Sequence, residues 1–150
     1  MIRLVRTNSK NSNFIELIKS LDQELKIRDG DNHSFYNQFN KLDNIHHVIV
    51  AFDNEKAIGC GSFKVCQNNI VEIKRMYVAS GSRRKGIGSQ ILSELENWAK
   101  ELKFTKCIME TGKQQPEAIQ LYKKYGYSLT SNFGFYKNVE NSVCFEKIIN

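Results

Sequence analysis

The chain has 150 residues, 41% hydrophobic and 25% charged, which suits a globular protein able to bury a core. A lone proline, no low-complexity tract and no internal repeat leave no sign of a linker, so one domain over residues 1–150 is expected. The formal net charge of +6 rules out an acidic solvating chain and points to an anionic partner: nucleic acid, a membrane surface or a phosphorylated small molecule.

The alternation of "MIRLVRT" predicts a first strand. "FIELIKSLDQEL" carries Phe14, Ile15, Leu17, Ile18, Leu21 and Leu25 at helical spacing, with Ser12 or Asn13 available as N-cap. "DGDNHS" breaks that helix, and "SFYNQFNKL" reads as a second, shorter one. The period then changes. "HHVIVAF", "AIGCGSFKVC" and "IVEIKRMYVA", joined by "DNEK" and "QNN", predict an antiparallel meander of three strands. Ile87, Ile91, Leu92, Leu95, Trp98, Ala99 and Leu102 form one apolar helical stripe. "TKCIMET" is a further strand, and "QPEAIQLYKKYG" a helix with Pro116 in its first turn and Gly126 at its stop. "YSLT" and "SVCFEKII" close the chain as strands. The order predicts an α/β chain, a mixed sheet with helices on its faces.

Cys60, Cys66, Cys107 and Cys144 stand in apolar, strand-like runs, in no CxxC pair and with no histidine at zinc-site spacing. Free buried thiols are expected, and no metal. No apolar run is long enough to cross a bilayer, and "MIRLVRTNSK" lacks the apolar core of a signal peptide, so a cytoplasmic protein without membrane contact is expected.

The densest charge lies in "SGSRRKGIGSQIL", where three cations run into a glycine pair and then a helix start. Amides at a helix N-terminus lack intrahelical partners and carry partial positive charge. Glycines let a phosphate approach the backbone, and Arg83, Arg84 and Lys85 add full charges, so the turn reads as a pyrophosphate cradle. A solvated basic loop is the bland alternative. There is no GxxxxGK[ST], and GxGxxG fails because Ile91 stands where its last glycine belongs. A nucleic-acid surface would spread its cations along a face with aromatics between them, whereas these sit at one helix start.

"RRKGIG" resembles the [Q/R]-x-x-G-x-[G/A] signature of the GNAT superfamily of acyl-CoA N-acyltransferases. "VEIKRMYVASGSRRKGIGSQIL" looks like that family's fourth strand and third helix. "METGKQQPEAIQLYKKYGY" looks like its fifth strand and fourth helix, with the "AIxLYxxxGY" signature. The strong match covers residues 57 to 147. The resemblance implies a mostly antiparallel sheet of about seven strands with a V-shaped splay between the fourth and fifth, flanked by about four helices.

It also implies acetyl-CoA as cosubstrate, its diphosphate on Arg83, Arg84, Lys85, Gly86, Ile87, Gly88 and Ser89, its pantetheine arm along Met76, Tyr77 and Val78. Tyr122 matches the tyrosine similar in role to a general acid that protonates the departing thiolate, against the plainer reading of a packing residue. Glu72 lies eleven residues before Arg83, the spacing of a base glutamate in several members, and would act through a water. Strand alternation could equally leave Glu72 solvated or paired beside Lys74, and Glu110 is a second candidate base. Two departures stand out. Gln115 occupies a position where the family often has asparagine, and Arg84 replaces a common glycine.

In this fold the acceptor pocket is usually built by "LKIRDGDNHSFYNQFNKLDN" and "TSNFGFYKNVENS". Asp29 and Asp31 could hold a cationic amine or merely form a turn; Phe35, Tyr36, Phe39, Phe133, Phe135 and Tyr136 could line a pocket or merely pack. His33, His46 and His47 have no metal-ligand companions. The expected activity is direct transfer of an acetyl group to a primary amine of a small molecule or peptide, with a homodimer left open. The alternatives are a silent CoA-binding module of the same fold and, more remotely, a basic nucleic-acid-binding domain.

Overall fold

The computed structural model describes residues 1–29 and 44–150. Strand β1 (Ile2–Thr7) leads into helix α1 (Ser12–Asp29). Strands β2 (Ile45–Asp53), β3 (Lys56–Val65) and β4 (Ile70–Val78) follow as the expected meander. Helix α2 (Ile87–Glu101), β5 (Lys106–Gly112), helix α3 (Pro116–Lys124), β6 (Ser128–Thr130) and β7 (Ser142–Ile148) complete the chain. The expected short helix "SFYNQFNKL" lies outside the described residues, so three helices are seen among the described residues where four were expected.

Local chemistry explains the boundaries. Asn11, one residue before the expected cap, accepts the Phe14 N–H through Oδ1 at 3.1 Å. The β3–β4 turn places Asn68 and Asn69 both at φ 62°, left-handed positions that asparagine tolerates. Gly126, at φ 94°, follows α3.

The sheet runs β1-β2-β3-β4-β5-β7-β6. One face carries α2 and the larger core: Ile91, Leu92 and Leu95 pack with Phe63, Val71, Ile73, Met109 and Phe145. The other carries α1, where Phe14, Leu17 and Ile18 meet Ile45, Val48, Val50 and Cys60. Of the thiols, Cys60, Cys107 and Cys144 are buried and Cys66 is half-buried, all free. Burial pushes Cys60 and Cys107 up to about 12 and Cys144 up to about 11, so none is a nucleophile at neutral pH.

Two irregularities in β4 position the site. Its parallel pairing with β5 covers only Ile70–Ile73 against Lys106–Met109. Lys74–Val78 continue beside β3 alone, which is the expected splay. A bulge opposite Gly61 shifts the β3–β4 register between Cys60 and Ser62, with Arg75 at φ 59°.

Candidate active site

The end of β4, the start of α2 and α3 meet at one point. A Cβ added to Gly88 would touch Leu121 Cδ2 at 3.5 Å and Val78 Cγ2 at 3.8 Å. The N-cap of α2 is Gly86, in the left-handed region at φ 78°, and no side chain caps the first amides. Gln90 is the first residue to find an intrahelical acceptor, donating to Gly86 O at 3.1 Å, and the Ser89 hydroxyl donates to the same carbonyl at 2.8 Å. The N–H groups of Ile87, Gly88 and Ser89 precede that first turn, with Gly88 beside Val78 at the end of β4. These are the atoms an anion would meet.

The three cations of the turn are not equivalent. Arg84, at φ 66°, and Lys85 are exposed. Arg83 instead donates from Nε to Val78 O at 2.7 Å and from Nη2 to Glu24 Oε2 at 2.6 Å, with its guanidinium 5.6 Å from the Tyr77 ring centroid. Its head group fastens the turn to β4 and α1. Along β4, Ala79 donates to Ile58 O at 2.8 Å, so alternation turns the Tyr77 amide towards β3 and the Val78 amide towards the splay. Met76 is the second of the two bulge residues opposite Gly61, and its sulfur fills the space that a Cβ on Gly61 would take. Gln115 is the half-buried N-cap of α3, and its side chain makes no capping bond.

Tyr122 is buried on α3, its ring 6.0 Å from Tyr127 and 5.8 Å from Phe145. Burial, and secondly the Glu110 carboxylate, push its hydroxyl well above the usual tyrosine range, so it stays protonated. Glu72 sits one rung before the splay opens, opposite Ile108, and is 8% exposed. Its Oε2 lies 3.4 Å from Lys74 Nζ, and Lys74 donates to the Tyr136 hydroxyl at 3.4 Å. Glu110 accepts from Ser142 Oγ at 2.6 Å. Burial first, then the carboxylates of Glu72 and Glu110, raise the Tyr136 hydroxyl strongly. Glu72 is thus paired with Lys74, as one expectation had it, but inside the protein rather than in solvent.

Residues 14–127 match the sequence model of the acetyltransferase (GNAT) family. The chain belongs to the GNAT acetyltransferase family. It is 28% identical over 153 residues to an IAA acetyltransferase of Azospirillum brasilense, covering 97% of each chain. A solved structure of a Klebsiella pneumoniae protein assigned to the acyl-CoA N-acyltransferases superposes with a TM-score of 0.85 at 25% identity, over 100% of this chain and 99% of that one. A GNAT family acetyltransferase from Elizabethkingia anophelis, solved with acetyl-CoA bound, superposes with a TM-score of 0.73 at 21% identity, over 98% and 97% of the two chains.

Within this acyltransferase, the sequence-predicted residues fall into two groups. The turn, the end of β4 and α3 bring Arg84–Ser89, Val78 and Tyr122 to one side of the sheet. Glu72 and Lys74 belong to the other strand face, with Tyr136. Tyr136, one of the aromatics the sequence offered for a pocket, is buried beside Lys74, whereas Phe135 next to it is 74% exposed, and nothing in the sequence says which ring turns inward. The side chain of Asp29, and Asp31, Phe35, Tyr36 and Phe39, lie outside the described residues. Among the described residues no cluster could hold a metal ion, and no helix is long and apolar enough to cross a membrane.

Proposed function

We propose that the protein is an acetyl-CoA-dependent N-acetyltransferase that acts directly on a primary amine of a small molecule or peptide. The observation that carries this reading is the coincidence of three partnerless α2 amides with a strand edge left open beyond Ile73. Those features suit a ligand with a diphosphate at one end and an amide-bearing arm behind it. Gly86, Ile87, Gly88 and Ser89 would hold the diphosphate through their backbone, Arg84 and Lys85 would add charge, and Val78 would take the arm on its free N–H. Met76 and Tyr77 shape the strand that carries it, and Gln115 stands at the rim. Arg83 contributes by fixing the turn.

When bound, acetyl-CoA supplies an activated acetyl thioester. Amide formation makes one N–C bond, breaks one C–S bond, removes a proton from the amine and delivers one to sulfur. The Glu72 carboxylate, buried beside Lys74, takes the amine proton through a water. The Tyr122 hydroxyl, held protonated by burial, gives the second. Glu110, hydrogen-bonded to Ser142, is the alternative base.

Calorimetry with acetyl-CoA, CoA and dephospho-CoA tests the reading. Micromolar binding that weakens when the 3′-phosphate is absent, with thiol release in the presence of amines, is the expected result. Binding without turnover on any amine would make the protein a silent CoA-binding module. No binding by folded protein would overturn the proposal.

A further inference from the structure

Tyr136 is a buried phenol whose hydroxyl meets an ion pair. It is 5% exposed and closes the short helical turn Gly134–Tyr136 between β6 and β7. Its N–H donates to Phe133 O at 2.9 Å, and its carbonyl accepts from the Val139 N–H at 3.0 Å. Its ring stands edge-on to Phe133, with centroids 5.6 Å apart. Backbone and ring are therefore both anchored. The hydroxyl at the far end accepts from Lys74 Nζ at 3.4 Å, and the same Nζ lies 3.4 Å from Glu72 Oε2. A phenol that accepts still has one O–H to give, and here it goes to the Glu72 carboxylate. Burial, then the charges of Glu72 and Glu110, keep that proton on the tyrosine oxygen.

Packing does not call for this group. A phenylalanine would fill the same space, and a buried hydroxyl costs free energy unless it is bonded. The contact also crosses the splay. Lys74 is the first β4 residue past the last β4–β5 rung, Ile73 with Met109, and its register partner Ser62 is on β3. Tyr136 comes from the connection between β6 and β7, on the other side of that gap. The network thus reaches from the far half of the sheet to a β4 carboxylate at the place where the strands part. Other charged groups share this strand face. Glu146 pairs with Lys106, Glu110 accepts from Ser142 Oγ at 2.6 Å, and Lys64 stands opposite Glu72 on β3. Glu72 is the carboxylate that Lys74 and Tyr136 meet together.

We propose that Tyr136 is a positioning residue for acetyl transfer: from the β6–β7 connection its hydroxyl, with Lys74, holds the Glu72 carboxylate in the orientation that takes the amine proton. Proton transfer depends on a fixed distance and direction between base and proton, so a carboxylate free to swing is a poorer base. Tyr136 acts here through Glu72 and on no reacting atom itself. This inference rests on the acetyltransferase reading with Glu72 as base.

The test is a double-mutant cycle of Tyr136→Phe and Glu72→Gln, read as kcat and KM for thiol release from acetyl-CoA, with acetyl-CoA calorimetry alongside. The acceptor is the best of a panel of L-amino acids, amino-acid amides and aliphatic amines. Tyr136→Phe should lower kcat by about 10- to 100-fold, the scale of a hydrogen bond to a charged group, with KM and acetyl-CoA affinity kept. In the Glu72→Gln background the same change should do nothing further, because no carboxylate is left to hold. A packing defect would instead carry through both backgrounds. An equal fall in both, an unchanged kcat, or a loss confined to KM would each overturn the proposal. If Tyr136→Phe does not fold, Lys74→Gln takes its place in the cycle, with the same expected and refuting outcomes. Glu72→Gln as active as wild type would remove the base and this inference with it, while leaving the acetyltransferase reading standing. Absence of acetyl-CoA binding, or of turnover on every amine of the panel, would sink that reading as well.

Discussion

Replacing Gly61 by alanine tests how α2, and with it the phosphate turn, is seated. A Cβ at Gly61 would fall 2.5 Å from Met76 Sδ, 2.7 Å from Ile91 Cγ2 and 3.0 Å from Leu95 Cδ1. Met76 can swing its sulfur aside. Ile91 cannot, because its Cγ2 is bonded to a branched Cβ on a helix and has one preferred rotamer. Relief requires α2 to lift away from β3, and such overpacking costs about 1–3 kcal/mol. For a chain of this length each kcal/mol lowers Tm by about 2–4 °C, so a fall of about 2–12 °C is expected. Gly81→Ala is the control, since its Cβ would meet nothing within 4 Å, and surface changes of that kind stay within about 0.5 kcal/mol. Urea and thermal unfolding of both variants read the difference. If Gly61→Ala proves as stable as Gly81→Ala, the close seating of α2 on β3 is wrong.

Tyr122→Phe should lower kcat by about 10²-fold or more while leaving acetyl-CoA affinity near wild type; equal turnover removes Tyr122 from proton transfer. Glu72→Gln should cut kcat on a similar scale, about 10²-fold, with acetyl-CoA affinity near wild type, whereas unchanged turnover would shift the base role to Glu110. Gly86→Glu should abolish calorimetric binding of acetyl-CoA, since it forces a side chain into φ 78° and puts an anion at the α2 amides. His47 lies between Phe63, stacked at 4.5 Å, and Trp98, edge-on at 4.9 Å, and its buried Nδ1 lacks a partner. Burial first, then His46, lowers its pKa below 6.5. The unfolded state therefore binds more protons, so stability holds above pH 6.5 and falls as pH drops from there towards the lower folded value. His47→Phe should flatten the stability–pH curve in that window; an unchanged slope would clear His47.

The turn and the α2 stripe were legible in sequence because each is local: glycines, cations and a 3.6-residue period lie within one segment. The splay was legible only through the resemblance, since where the β4–β5 rungs stop depends on residues over thirty positions apart. Composition could show three cations in a row, but not that Arg83 is spent on Glu24 of α1. Nor could alternation announce the bulge. Read by strict period two, Arg75 belongs with Ile73 against α2, yet one extra residue opposite Gly61 puts it with Asp22. Glu72 shows the same limit, as its partner was readable at i+2 but its burial was not.

The four rungs between β4 and β5 have a mechanical meaning as well. They make a short seam between two plates, β1-β2-β3-β4 and β5-β7-β6, in a sheet otherwise laced along its length. Above the seam the apolar core runs on from one plate to the other, with Val71 and Ile73 on one side of it and Met109 and Phe145 on the other. A molecule lodged beyond the seam would act as a wedge and a weld together, bridging the two plates where their strands share no rungs.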